Sequence, residues 1–261
     1  MKKRIVVISD LHCGHQVGLT PTKWQYSPDL DTHRGKFGEM QRQMWGWYEK
    51  TINQLRPIWT LVVNGDAVDG RGEKTEGVEQ ITTDMDEQAN MASACIKLAN
   101  PRKIIMTYGT PYHTGSGCDW ENKVAATVHA EKIGGHESID VNGLIFDFKH
   151  FVGNSNTLTK ATAIARERLW NTQWYLEGSL PLAKIIVRSH IHCDHFTGDS
   201  KWMGITTPAL QGFGSRYGIR KCSGIVRIGM TYFDIDDKGN VEEWDFVTAD
   251  LEDQRVEALK V

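Results

Sequence analysis

The sequence predicts an α/β fold whose first half alternates strands with helices and whose second half is rich in hairpins. Short apolar runs with many β-branched residues, such as 3–9 and 58–64, predict buried strands. Asn142-Gly143 separates two strand-like segments, which is typical of a β-hairpin. A βαβαβ half predicts a parallel sheet, and a hairpin-rich half predicts a mixed or second sheet.

The individual elements follow from the spacing of apolar residues. Strands are predicted at 3–9, 58–64, 102–108 and 183–189, and helices at 36–56, 84–99, 119–133 and 158–177. A second hairpin is predicted around DDKGN, residues 236–240. Because no repeat, low-complexity stretch or linker divides the chain, we expect a single domain over residues 1–261.

Composition narrows the classes of protein that the chain can represent. The 261 residues, 40% hydrophobic and 24% charged with a net charge of −3, suit a globular domain with a sizeable core. No stretch approaches the ~20 apolar residues of a membrane span, so no membrane partner is expected. The mild negative charge disfavours broad binding of nucleic acid but allows a local basic groove. Five cysteines without a C-x-x-C pair favour a cytoplasmic protein over a disulfide framework.

Ligand-type side chains follow the predicted strands. Asp10 and His12 come after the first strand, and Asp66 and Asp69 after the second. Binding sites of open α/β sheets form at the carboxyl ends of the strands, so these side chains are expected to converge. Carboxylates and imidazoles are the ligands that Mn, Fe and Zn use in proteins. The sequence therefore predicts a metal site at this edge.

The stretch HIHCDH, residues 190–195, has two interpretations. As a bare pattern it resembles the zinc motif of metallo-β-lactamase-type hydrolases, in which Asp194 and His195 would be ligands. That motif belongs early in its fold and needs a later histidine, but no histidine follows His195. The upstream motifs favour the second interpretation, in which only His190 and His192 bind metal and the other two lie at the rim.

Taken in order, the motifs resemble those of the calcineurin-like metallophosphoesterases: D-x-H, G-D-x-x-D, G-N-H-D/E, H and G-H-x-H. Here they read DLH at 10–12, GDAVD at 65–69, a variant third motif, His150, and SHIH at 189–192. The resemblance spans roughly residues 4–195. It implies a β-sandwich of mixed sheets flanked by helices, with the site at the C-terminal ends of the strands.

The resemblance also implies a pair of divalent ions, Mn²⁺ first, with Fe, Zn or Ni as alternatives. One ion would be held by Asp10, His12 and His192, the other by His150 and His190, with Asp66 as the bridge. Asp69 would orient a ligand. The implied activity is phosphoester hydrolysis by a metal-activated water, and phosphodiesters such as DNA or RNA are favoured. The alternatives are a phosphomonoesterase that acts on a nucleotide or a phosphoprotein, and a degenerate phosphoesterase that acts as a binding module.

The third motif departs from the family pattern. The chain reads YGTPYHTG, with Thr110 in the place of the asparagine ligand and Pro111 in that of the catalytic histidine. Thr110 is either a weak ligand that loosens the second metal or no ligand at all. In the interpretation we favour, Pro111 starts a turn that brings His113 back to act on the leaving group. Otherwise His113 is a loop residue and activity is weakened or lost.

Two further segments have open roles. In the insertion at 13–35, aromatic residues such as Trp24 and Tyr26 either stack a base or pack the loop onto the domain. His33 and Arg34 belong to the same insertion, and His15 is expected to be an ordinary loop residue. The basic segment GFGSRYGIRK, residues 212–221, either contacts phosphate or forms a surface loop.

Overall fold

Eleven strands and six helices form in the residues that this computed structural model describes, which are 1–27, 35–115, 117–153, 160–221, 225–251 and 259. The strands are β1 (Lys3–Ile8), β2 (Thr60–Asn64), β3 (Lys103–Thr107), β4 (Lys132–Gly134), β5 (Glu137–Val141), β6 (Leu144–Phe148), β7 (Ile185–Arg188), β8 (His195–Gly198), β9 (Met203–Thr206), β10 (Gly229–Ile235) and β11 (Val241–Thr248). The helices are α1 (Gly35–Leu55), α2 (Met85–Ala99), α3 (Pro111–Thr114), α4 (Glu121–Val128), α5 (Lys160–Leu176) and α6 (Arg216–Lys221).

The strands form two mixed sheets. The first has six strands in the order β11-β10-β1-β2-β3-β4, in which β1 to β4 are parallel and the β10–β11 hairpin pairs antiparallel with β1. The second has five strands in the order β5-β6-β7-β9-β8, with a parallel centre and antiparallel edges. The fold class predicted from the sequence is therefore confirmed.

Successive side chains of a strand point to opposite faces of the sheet and therefore pack into two different cores. Ile5 and Val7 of β1 pack with Phe146 and other residues of the second sheet, so the sheets lie face to face. Val6 and Ile8 point to the opposite face and pack with residues of α1, α2 and α4. On the far side, α5 packs against the second sheet. A β-sandwich flanked by helices results.

The structure differs from the sequence prediction at the end of α4 and in three short strands. The helix predicted at 119–133 ends at Val128 because His129 adopts a left-handed conformation with a φ of 54°. Residues 132–134 instead pair with β3 as an edge strand. β8 and β9 were not predicted, since strands of four residues are too short to show a clear alternation. The predicted helix at 158–177 is present as α5, but residues 158 and 159 lie outside the described part of the chain.

The described part of the insertion after β1 packs onto the domain, which is one of the two interpretations given above. Trp24 and Tyr26 are partly buried against the helical core, whereas His33 and Arg34 lie outside the described residues. His15 lies outside the helices and strands, as expected of a loop residue, and its side chain is buried, with Nε2 3.9 Å from Glu79 Oε1.

The second open segment, residues 212–221, is not a loop throughout, since it ends in the short helix α6. Within the described part of the chain, none of the helices combines the length and the apolar character that crossing a bilayer requires.

Candidate metal centre

The carboxyl ends of five strands meet at one edge of the sandwich. Three of them, β1, β2 and β3, belong to the first sheet, and two, β6 and β7, belong to the second. The six predicted metal ligands extend from these ends: Asp10 and His12 after β1, Asp66 after β2, His150 after β6, and His190 and His192 after β7. The structure brings all six together. Their ligand atoms form groups within 4.8 Å of one another, one of Asp10, His12 and His192, and another of Asp66, His150 and His190.

The backbone of this edge is strained where the ligands lie. Of the six, five have a positive φ: Asp10 (52°), His12 (44°), Asp66 (50°), His190 (75°) and His192 (53°). Residues other than glycine adopt this conformation rarely, and they keep it only where the surrounding structure imposes it. Here the N–H of Asp10 donates to Gly65 O (3.0 Å) and that of His12 to Asp66 O (3.0 Å). The loops after β1 and β2 thus hold each other in the conformation that turns the ligands inward.

The first group is organised around Asp10. His192 Nε2 lies 3.2 Å from Asp10 Oδ1 and 3.4 Å from His12 Nε2. The 2.7 Å contact of His12 Nδ1 with Asp69 Oδ1 places a proton on Nδ1 and leaves Nε2 to face the centre. Asp10 Oδ1 is buried and accepts no hydrogen bond. A buried carboxylate oxygen without a donor, facing two imidazole nitrogens, fits a cation between them.

The carboxylate of the second group, Asp66, lies next to the first group. His150 Nδ1 donates to Asn64 O (2.7 Å), so its Nε2 points at Asp66 Oδ2, 3.0 Å away. The same Asp66 oxygen lies 4.0 Å from His12 Nε2. Asp66 is therefore located between the two groups, where a bridging ligand belongs. His190 completes the second group, with its ring centroid 5.4 Å from that of His150.

The charged groups of the centre favour the binding of cations. Burial opposes ionisation of Asp10 and Asp66, but His192 and His150 hold the pKa of Asp10 below its ordinary value, and His150 does the same for Asp66. Burial also opposes protonation of His150, yet Asp66 and Asp10 raise its pKa to about 10. Burial and the nearby His113 lower the pKa of His12. Two buried carboxylates surrounded by imidazole nitrogens are a ligand set that suits divalent Mn, Fe or Zn.

The variant third motif lies against the bridging carboxylate. The N–H of Thr110 donates to Asp66 Oδ1 (2.7 Å), and its hydroxyl lies 3.1 and 3.2 Å from the two carboxylate oxygens. Thr110 therefore orients Asp66 through hydrogen bonds. Pro111 opens α3 in a turn closed by the His113 N–H donating to Thr110 O (2.9 Å).

The turn returns His113 to the centre, as predicted. Its Nδ1 lies 2.9 Å from Asp69 O, and its ring centroid 4.5 Å from that of His12. Burial opposes its charge, but Asp69 and Asp66 raise its pKa to about 9. His113 also forms a third group with His12 and Asp66 whose atoms lie close enough to hold an ion. Its geometry suits a proton donor or an additional ligand.

Sequence reasoning missed Glu121, the first residue of α4. This fully buried carboxylate accepts hydrogen bonds from the N–H groups of Ala67 (2.8 Å) and Gly109 (2.6 Å). It thereby joins the loops after β2 and β3, and burial together with Asp66 raises its pKa to about 8. An acidic residue in the first turn of a helix is common, so the sequence offers no signal for this role. Gly109 is needed beside it, since a Cβ there would overlap the Asp66 side chain.

A chain of buried hydrogen bonds, called the floor chain below, underlies the centre. It connects Thr107, Asn64, Ser189, Thr207 and Ser9 in that order, with distances of 2.8, 2.7, 2.7 and 2.8 Å. All five side chains are fully buried. They come from the ends of strands in both sheets, so the chain links the sheets below the ligands. Sequence reasoning missed it, because small polar residues at strand ends are ordinary.

Asp194 and His195 belong to no ligand group among the described residues. Asp194 Oδ1 faces Arg227 Nε at 3.8 Å, and His195 begins β8 opposite Thr206. Of the stretch HIHCDH, His190 and His192 are therefore the residues that belong to candidate ligand groups. This geometry matches the metallophosphoesterase-like interpretation and not the lactamase-like one.

Comparisons with known proteins give distant similarities only. No protein-family model and no curated protein matches the chain. Solved structures that resemble it include a novel archaeal phosphodiesterase, 14% identical, covering 94% of this chain and 99% of that chain with a TM-score of 0.48. Vps29 from Chaetomium thermophilum is 10% identical, covering 94% and 97% with a TM-score of 0.48. A predicted phosphoesterase from Streptococcus pneumoniae is 11% identical, covering 95% and 99% with a TM-score of 0.40. Similarity this low assigns no activity, which has to be inferred from the site.

Proposed function

We propose that the protein is a binuclear metal-dependent phosphoester hydrolase that favours phosphodiesters. The observation that supports this proposal is the pair of ligand groups that meet at Asp66. Bound divalent ions would supply Lewis acidity, which lowers the pKa of a shared water and offsets charge on the phosphoryl group. Mn²⁺ is the ion we favour, and DNA, RNA or a nucleotide ester is the substrate class.

The protein's own groups set the geometry for this chemistry. Asp69 fixes the ring of His12, and the carbonyl of Asn64 fixes that of His150, so each presents Nε2 to the centre. Thr110 and Glu121 keep Asp66 and its loop in place. The contact of His113 Nδ1 with Asp69 O supports the role we propose for His113, which would give a proton to the departing oxygen.

Metal content and substrate preference test the proposal. Protein purified without chelator is expected to carry about two transition-metal ions per chain by elemental analysis. Chelation should abolish hydrolysis of a diester, and added Mn²⁺ should restore it. A monoester assayed in parallel distinguishes the phosphomonoesterase alternative. Protein that retains no metal and gains no activity with Mn²⁺ would instead be a binding module.

Replacing His113 by alanine is expected to separate substrates by leaving group. An alkyl or nucleoside ester should lose at least about 10²-fold in kcat, because its alkoxide needs a proton to depart. A p-nitrophenyl ester, whose leaving group departs without help, should lose only a few-fold. Metal content should stay that of the wild type, and His195→Ala serves as the control at the rim.

Other outcomes would reassign His113. Equal loss on both esters would indicate that it stabilises charge generally. Loss of an ion would make it a ligand together with His12 and Asp66.

A further inference from the structure

A cavity of about 500 Å³ opens beside His113, a size typical of small-molecule sites. It lies between the loop after β2 and the segment after β3. Its lining includes Arg71, Glu73, Met85, Tyr112, His113 and Trp120. None of these residues except His113 is used by the proposed hydrolysis.

His113 lies between the cavity and the metal centre and contacts both. Its ring lies 4.5 Å from that of His12, a predicted ligand, and 4.9 Å from that of Tyr112 in the cavity. A leaving group on the His113 side of the metal centre would therefore face this cavity. Gly70 brings the two loops together here, since a Cβ at this position would lie 2.9 Å from His113 O.

The lining combines flat apolar surfaces with cations at the rim. Tyr112 is 44% exposed although it is a large aromatic residue, and Trp120 and Met85 add apolar area. Lys74 Nζ lies 4.5 Å from the centroid of the Tyr112 ring, and the exposed Arg71 lines the same cavity. Exposed aromatic rings stack bases, and adjacent cations pair with phosphate. The combination suits a nucleoside that carries a further phosphate.

We propose that this cavity is the leaving-group subsite and that it binds a nucleoside, so that the substrate is a nucleotide-containing phosphodiester; this inference rests on the proposed hydrolase function. Hydrolysis would form a bond between the water oxygen and phosphorus and break the bond from phosphorus to the nucleoside oxygen. His113 would transfer its proton to that oxygen, and the attacking water would release one proton, so that the number of protons is unchanged. The nucleoside would leave through the cavity as an alcohol.

Binding of adenosine 5′-monophosphate and ribose 5-phosphate to the Mn²⁺-loaded protein, measured by calorimetry, tests the subsite. The two ligands share the phosphate and the sugar and differ in the base. The nucleotide is expected to bind roughly tenfold more tightly or better, as base stacking usually gives. Tyr112→Ala should remove most of this ratio, and Tyr112→Phe should keep it. Tyr175→Ala, which removes a similarly exposed aromatic residue of α5, is the matched control.

The possible results separate the two proposals. Equal affinity for the two ligands would overturn the nucleoside subsite. The same conclusion would follow if Tyr112→Ala unfolds thermally like the wild type and keeps the affinity ratio of the two ligands. A protein that prefers the nucleotide through Tyr112 but hydrolyses neither monoesters nor diesters would support the nucleoside site and overturn the hydrolase. Hydrolysis of diesters without any preference for the base would support the hydrolase and overturn the nucleoside site.

Discussion

Asp66→Asn is expected to lower diester turnover on the order of 10³-fold or more and to cost the protein at least one metal ion. Asp66 lies between the two ligand groups, with Oδ2 3.0 Å from His150 Nε2 and 4.0 Å from His12 Nε2. A bridging carboxylate offsets the repulsion between two dications, and a neutral amide cannot do so equally. Because a catalytic metal supplies several kcal/mol, losing one corresponds to about three orders of magnitude in rate.

Elemental analysis and turnover, measured on the same preparation of Asp66→Asn, check this expectation. Asp194→Asn is the matched control, because Asp194 faces Arg227 and belongs to no ligand group among the described residues. It should retain both metals and the wild-type rate. Full metal content together with normal turnover in Asp66→Asn would refute the bridging assignment.

Arg188→Met is expected to reduce the free energy of unfolding by about 3–5 kcal/mol, the usual cost of leaving a buried charge without its partner. Arg188 is fully buried at the end of β7. Its Nη1 donates to Asp147 Oδ1 (2.7 Å), and its Nε donates to Glu167 Oε2 (2.8 Å). Urea unfolding at pH 7 measures the effect. Lys103→Met is the control, because its ion pair with Glu131 is exposed and should contribute at most about 1 kcal/mol.

The effect of Arg188→Met should depend on pH. Burial opposes the charge of Asp147, but His136 and Arg188 lower its pKa to about 2. A carboxyl group with a lowered pKa stabilises the fold above its ordinary pKa of ~3.9, and this contribution is lost as the pH falls toward 2. The destabilisation by Arg188→Met should therefore be larger at pH 7 than at pH 3. An equal effect at both pH values would show that lost packing, and not the charge of Asp147, dominates.

The sequence predicted which side chains converge, because each follows a strand that is itself easy to recognise. β1 and β2 are continuous apolar runs, and Asp10 and Asp66 come within two residues of their ends. The rule that sites form at the carboxyl ends of parallel strands then places these side chains together. The turn at Pro111 was also predictable, since proline fixes φ and favours the second position of a turn.

Other parts of the site depend on contacts that no local pattern encodes. Glu121 is identifiable only once α4 is packed against the loops that carry Ala67 and Gly109. The edge strand β4 forms because β3 offers it a pairing partner, although the apolar spacing of its residues resembles a continuing helix. The cavity beside His113 likewise depends on how the loop after β2 lies against α3.

The floor chain has a single direction. Thr107 donates to Asn64 Oδ1, and Asn64 Nδ2 donates to Ser189. At the other end Ser9 donates to the carbonyl of Pro208 (3.2 Å), so Thr207 must donate to Ser9 and accept from Ser189. Every hydroxyl proton is thereby assigned, and sliding one sheet along the other would break the two bonds of the chain that cross between the sheets, from Asn64 to Ser189 and from Thr207 to Ser9. The interior of the sandwich therefore helps to set the spacing of the two ligand groups, independently of the sequences of the outer loops.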